Sequence, residues 1–219
     1  AAWDGAANSN PLKARLAEPV AALRGWDLRF GAESIPTSVA IAYGDTLLSQ
    51  IADAADQAGV DVYDYMAAGA SATVKLGALA DAVTRLEEDF GSWATPWGEI
   101  NRFQRLTGDI VQPFDDEGAS VPVGFTSARW GSLAAYGQRT FNGTKRIYGT
   151  RGNSFVAVVA FGDSVRARAV SAGGQSGDPS SPHFADQIER YATGDLRTVR
   201  FYRPDVDAVA EETYRPGGR

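Results

Sequence analysis

The chain has 219 residues, 44% of them apolar and 22% charged, with a net charge of −6. That length can bury most of its apolar surface, and acids interspersed with bases exclude a nucleic-acid or acidic-membrane binder. It has no cysteine and one histidine, His183, which excludes disulfides, cysteine nucleophiles, zinc clusters and multi-histidine metal sites; no cofactor is expected.

The first half reads as helical. Leu12, Leu16, Val20, Leu23, Trp26 and Phe30 recur at three- and four-residue spacing, an apolar stripe that Pro19 should kink or divide near Glu18. Ser34-Ile-Pro-Thr is a helix start with proline in the first turn. The helix it opens puts Val39, Tyr43, Leu47, Ile51 and Ala54 on one face and ends at Ala58-Gly59. Asp61 caps a short helix to about Met66, closed near Gly69. Ser71 to Phe90 forms another, with Val74, Leu79, Val83, Leu86 and Phe90 apolar.

Composition changes near Asp89-Phe90-Gly91, after which tryptophans, glycines and strand-like segments take over. Trp97 to Arg105 reads as a short strand or extended arm, Asp115 to Ser120 as a polar loop, and Val121-Pro-Val as extended. Lys145 to Tyr148, Ser154 to Phe161 and Val165 to Ser171 are the strand candidates, the last two joined as a hairpin through Phe161-Gly-Asp-Ser164. The run Phe155 to Phe161 is the longest apolar stretch and reads as a buried strand; it is too short to span a bilayer. Ser181-Pro182 starts a helix to about Ala192. A final strand is expected at Arg197 to Tyr202 and a helix at Asp205 to Glu211. Helices followed by antiparallel strands predict an α+β chain, taken as a single domain or fragment over 1–219, mainly helical over 1–90 and β-rich over 91–219.

Three blocks carry a family resemblance. The first is Pro11-Leu-Lys-Ala-Arg-Leu-Ala-Glu-Pro-Val with Leu23-Arg-Gly-Trp-Asp27. The second is Trp97-Gly-Glu-Ile-Asn-Arg-Phe-Gln-Arg105, with its Trp-Gly-x-x-x-Arg arm, and the third is Gly152-Asn-Ser-Phe followed by Gly174-Gln-Ser-Gly-Asp-Pro-Ser-Ser-Pro-His-Phe-Ala-Asp-Gln187. Together they resemble the C-terminal part of the β chain of penicillin-acylase-type N-terminal-nucleophile hydrolases, whose nearest relatives deacylate β-lactams, acyl-homoserine lactones and lipopeptides. The resemblance implies a share of an αββα sandwich. It also implies amide hydrolysis by the terminal Ser of the β chain, whose own α-amino group titrates at about 7.7–8.0 and serves as base, with an oxyanion hole contributed elsewhere. The chain begins Ala1-Ala2-Trp3, so the nucleophile is expected upstream, no catalytic residue is assigned here, and the isolated chain is expected to be inactive. Its implied partners are the α chain and the N-terminal part of the β chain of the precursor, with a small acylated amide as substrate. The implied location is periplasmic or secreted.

Asn153 and Ser154 at the start of the apolar strand, and Gln175 and Ser176 in the loop, are the candidate binding residues. Each could orient the active-site termini, or each could be a turn that satisfies its own backbone. His183, inside the expected helix start, reads as neutral and structural. Trp97, Trp130, Phe103 and Phe125 either shape an acyl pocket or fill a core. Asp115, Asp116 and Glu117 lack the periodicity of a calcium loop and read as solvated surface. Two other readings remain: a non-catalytic binding or scaffolding domain on the same fold, and a self-contained hydrolase using Ser176 or Ser181 with His183. The latter has its residues on one turn and no evident orienting acid. An isolated piece of a sandwich is also expected to expose a sheet edge or an apolar face.

Overall fold

The computed structural model describes residues 1–215 and 217. The architecture is α+β, and its residues form two compact units, one of residues 1–104 and 113–152, the other of residues 105–112 and 153 onward. The division does not follow the change in composition near residue 91, because the first sheet is built into the helical unit.

In the first unit, α1 (Ala2–Gly5), α2 (Pro11–Arg15) and α3 (Ala17–Arg24) precede the long helices. The stripe expected to break near Glu18 breaks at Leu16, which leaves helical geometry at φ −94° and ψ 3°. A continuous helix would aim the Arg15 carbonyl at the Pro19 ring; with the break upstream, Pro19 lies in the first turn of α3, where no N–H is needed. α4 (Ile35–Ala58) starts where expected: the Ser34 hydroxyl accepts from the Thr37 N–H at 3.3 Å, and Gly59 ends the helix at φ +63°. Asp61 caps α5 (Val62–Asp64), which continues as a π-helical turn over Tyr65–Gly69. α6 (Ala72–Phe90) is capped by Ser71 and ends at Gly91, φ +79°.

α4 and α6 pack together, and Leu16, Val39, Ile41, Leu79, Val83, Leu86 and Trp97 form a core with them. One stripe assignment shifts by a step: Ala55 is buried where Ala54 was expected. Among the apolar residues of α6, Val74 faces solvent.

The expectation of an extended arm over Trp97 to Arg105 holds only from Asn101. Trp97–Ile100 is a helical turn, α7. Its first N–H groups need acceptors from outside the helix, and the Trp97 and Gly98 amides find them in the carbonyls of Ser34 and Ala32, at 3.3 and 2.7 Å. β1 (Asn101–Phe103), β2 (Val121–Pro122), β3 (Tyr136–Arg139) and β4 (Ile147–Gly152) form a sheet in the order β2-β1-β4-β3. The β1–β4 pair is parallel and the others antiparallel. β3 has no strand signal in its Tyr-Gly-Gln-Arg sequence; pairing with β4 makes it one.

The second unit contains β5 (Phe155–Ala160), β6 (Arg166–Ser171), α8 (Ile188–Thr193), β7 (Arg197–Val199) and α9 (Arg203–Asp207). The expected hairpin is present, with Phe155 opposite Ser171 and Ala160 opposite Arg166. The expected burial is absent. Phe155 and Val158 are each 62% exposed and Phe161 85%, because β5 is an edge strand and only the end of β6, at Ala169 and Val170, is buried, where α8 packs. An apolar run identifies the strand; burial requires a covering layer. β5 thus presents both an open edge and exposed apolar side chains.

Candidate functional site

The Trp-Gly-x-x-x-Arg block is a structural bracket in the first unit. Trp97 is fully buried. Gly98 leaves no room for a side chain, since a Cβ there would lie 2.7 Å from the Pro122 Cβ and 2.8 Å from the Ala32 Cβ. The Arg102 guanidinium donates to the carbonyls of Gly98 and Ser120 and to the Ser120 hydroxyl, at 2.7–3.0 Å. Arg102 therefore ties α7 to Ser120, the residue before β2, and among the described residues it forms no ion pair with Glu99. Asn101, buried, donates to the carbonyls of Val123 and Phe125 at 2.8 Å each. In the acidic run, Asp116 accepts from the Lys145 amide and the Tyr148 hydroxyl, both at 2.7 Å. Burial and the Asp116 bond hold the Tyr148 phenol well above the ordinary tyrosine range, and burial pushes Tyr191 up to about 12; neither phenol is a base near neutrality. Of the four aromatics, Trp97 is core, Phe125 stands edge-to-face with Tyr136, and the Trp130 indole donates to Asp45 at 3.0 Å.

The candidate residues lie together at one end of the β5–β6 sheet. The Ala172 amide donates to the Ser154 carbonyl at 2.8 Å, so the strand entry at Asn153-Ser154 adjoins the departing loop. From there the chain folds on itself. The Gln187 amide donates to the Gly173 carbonyl at 2.9 Å and its side chain accepts from the Ser171 amide at 3.1 Å. The Ser176 amide donates to the His183 carbonyl at 3.1 Å. Gly174 is obligatory at this closure, for a Cβ would fall 2.0 Å from the His183 carbonyl oxygen. Within the loop, Gln175 donates to the Ser171 hydroxyl at 3.1 Å, and the Ser176 hydroxyl accepts from the Asp178 amide at 3.1 Å. Gln175, Asn153 and Ser154 are exposed, and Ser176 half-buried.

Arg105 locks the loop from below. Its guanidinium donates to the carbonyls of Phe184 and Ser176, at 2.5 and 2.9 Å, and stacks 4.1 Å from the buried Phe184 ring. The segment 105–112 is itself closed by Gln112, whose side chain accepts from the Leu106 and Thr107 amides at 2.7 and 3.0 Å. Arg105, Gln112, Asp186 and Gln187 escaped the sequence reading. Arg105 ends the second family block, and Asp186 and Gln187 end the third, but nothing in their type alone distinguishes them from surface polar residues.

This closure corrects the helix expected to start at Ser181. α8 begins at Ile188. The carbonyls of His183 and Phe184, which would accept from residues 187 and 188 in a helix, are taken by Ser176 and Arg105. The Ser181 hydroxyl still accepts from the His183 amide, but closes a turn. His183 is accordingly not at a helix start. It is exposed, with Nδ1 3.0 Å from the Asp186 carboxylate. An orienting acid therefore exists, contrary to expectation, yet the hydroxyls of Ser176 and Ser181 both serve as acceptors for backbone amides within the turn. Among the described residues no hydroxyl is bonded to the His183 ring, whose hydrogen-bond partner is Asp186.

Among the described residues no cluster of His, Cys, Asp and Glu is disposed to hold a metal ion, and no helix is long and apolar enough to cross a membrane. The sequence model of the family described as penicillin amidase matches residues 4–208, almost the whole chain. The chain belongs to the penicillin amidase family. The family is one of amide hydrolases, and all three blocks that carried the resemblance fall within the matched region. In this chain the second block is a core bracket and the third is a glycine-closed loop whose polar groups are held in place by Arg105 and Gln187.

Proposed function

We propose that this chain is the C-terminal part of the β chain of a periplasmic or secreted amidase, contributing strands to an αββα sandwich. In this reading it deacylates a linear or cyclic amide, of the kind found in β-lactams or lipopeptides, with an N-terminal Ser upstream of residue 1. Residues 1–219 act as one fragment of that enzyme, partnered by the α chain and the preceding part of the β chain. The observation that carries this reading is β5: six consecutive apolar residues, the composition of a strand covered on both faces, left largely open to solvent in a chain of this family. The polar loop supports it, because a rigid scaffold that presents fixed amides and hydroxyls is where function commonly sits.

In this reading Asn153, Ser154, Gln175 and Ser176 orient the nucleophile's terminus without attacking substrate or moving its proton. The chain by itself should hydrolyse no chromogenic acyl-amide, and N-terminal sequencing of the mature β chain should find Ser upstream of Ala1. In the complete enzyme, Gln175→Ala with Ser176→Ala should lower turnover and leave a fully processed protein. Unchanged kinetics would reduce the loop to a structural turn, and an upstream sequence without a terminal Ser, Thr or Cys would leave a scaffolding domain.

A further inference from the structure

The first unit contains a polar cleft of about 640 Å³ that none of the amidase chemistry above uses. Four arginines from four elements line it: Arg85 on α6, Arg129 in the 3₁₀ turn at residues 128–130, Arg139 on β3 and Arg151 on β4. One carboxylate, Asp45, faces them. Four cations against one anion make a locally positive site on a chain whose net charge is −6, so the cluster runs against the overall composition.

The cleft is also built. The Arg151 side chain lies across Gly137, where a Cβ would sit 2.7 Å from its Cγ, so glycine on β3 is what lets Arg151 rest along the strand. The Arg139 guanidinium is held 4.7 Å above the Phe141 ring. The Trp130 six-membered ring packs against Gly44, where a Cβ would come within 2.8–2.9 Å of it, and the indole N–H fixes the Asp45 carboxylate by a 3.0 Å bond. Desolvation pushes the Asp45 carboxyl above the ordinary value, offset in part by the indole and by the charges of Arg129 and Arg85. Among the described residues none of the four arginines has a carboxylate within ion-pair distance. All four are exposed, so their forks are open to a ligand.

We propose that this cleft binds a small organic polyanion, a di- or tricarboxylate, through bidentate arginine contacts. Planar guanidinium forks match carboxylates in pairs, and a cleft of this size suits a small molecule. The negative charge of the rest of the chain disfavours a nucleic-acid backbone. The proposal is independent of the amidase mechanism, and its failure leaves that reading intact.

The test is titration calorimetry of the complete protein with citrate at fixed ionic strength, with acetate and inorganic pyrophosphate as parallel arms. Citrate should bind with one-to-one stoichiometry, and acetate should not bind detectably. Arg139→Gln with Arg151→Gln should weaken citrate at least tenfold. Arg85→Gln, whose side chain is exposed on α6 and outside the β3–β4 pairing, should weaken it severalfold with an unchanged melting temperature, and so tests the site if the double variant misfolds. Pyrophosphate should compete with citrate but bind more weakly. Absence of citrate binding, affinity unmoved by the arginine substitutions, equal binding of acetate, or tighter binding of pyrophosphate than citrate would each overturn the assignment.

Discussion

The two compact units use the same apolar residue types with opposite outcomes. In the first, the stripes of α4 and α6 meet each other, and Val39, Leu79, Val83 and Leu86 are buried. In the second, Phe155, Val158 and Val159 are as apolar, yet they stand exposed on the edge strand of a three-stranded sheet, and Phe161 just beyond it is exposed too. The buried residues of the second unit gather instead around the end of β6, α8 and the loop: Ala169, Val170, Phe184, Gln187, Ile188 and Tyr191. A helix pair supplies two faces that cover each other, whereas a single sheet has two faces and needs a layer on each.

A charge placed in each region breaks or sharpens this contrast most directly. Val83→Asp buries an unpaired carboxylate in α6 and should cost about 4 kcal/mol or more, enough to unfold most of the chain near room temperature. Val158→Asp, although it lies in the more strand-like segment, should change the stability of the 219-residue chain by no more than about 0.5 kcal/mol. If β5 is covered in a longer enzyme, as proposed above, the same Val158→Asp should become strongly destabilising there. Melting temperatures of the variants in both contexts measure this, and a large loss for Val158→Asp in the chain alone would mean that β5 is already covered.

A smaller effect is expected where the second unit is held by polar closure. Gly174→Ala drives a Cβ into the His183 carbonyl and should cost about 1–3 kcal/mol, released locally as faster amide exchange at Ser176 and Gln187 and not as global unfolding. Arg105→Ala, which removes both carbonyl contacts, should produce the same exchange pattern. Equal acceleration across α4 and α6 would show that the loop is not an independent closure.

The smallest effect is a pH response. Bonds from the Ser180 amide and hydroxyl hold the Asp178 carboxyl below the ordinary value. A folded pKa below the unfolded one contributes stability that is present above the unfolded pKa and lost as pH falls through the folded one. Exchange at the Ser180 amide, corrected for its intrinsic pH dependence, should therefore accelerate below about pH 4, and Asp178→Asn should abolish that pH dependence. Asp178 is fully exposed, so the global melting temperature should hardly register the change.

Reading the chain from its residues worked best where a local signal is self-sufficient. Ser34, Asp61 and Ser71 each offer an oxygen to the amides of the next turn, and Gly59 and Gly91 adopt a backbone that other residues resist, so the starts of α4, α5 and α6 and the ends of α4 and α6 were legible to within a residue or two. The β5–β6 hairpin was legible for the same reason. The loop was legible as a stiff polar element, and the blocks within it pointed to the penicillin amidase family. Its closure was not, because Arg105 reaches Phe184 across 79 residues and Gly174 meets His183 through a carbonyl, neither of which leaves a trace in residue type. The arginine cleft was equally hidden, since Arg85 and Arg151 belong to distant elements that only folding brings around Asp45.

What the sequence determined by itself was the class of chain: α+β, without cysteine, capped helices first and an apolar hairpin later, with the family blocks in order. Short-range bonds and side-chain periodicity suffice for those properties, since each acts within a turn or a strand pair. The tertiary structure alone decided that Trp97 begins a helical turn, that the backbone after Ser181 closes a loop before it can start a helix, and that β5 remains uncovered. Those outcomes depend on which carbonyl or apolar face a distant segment supplies, and a backbone donor or a strand face takes whichever partner the fold brings to it.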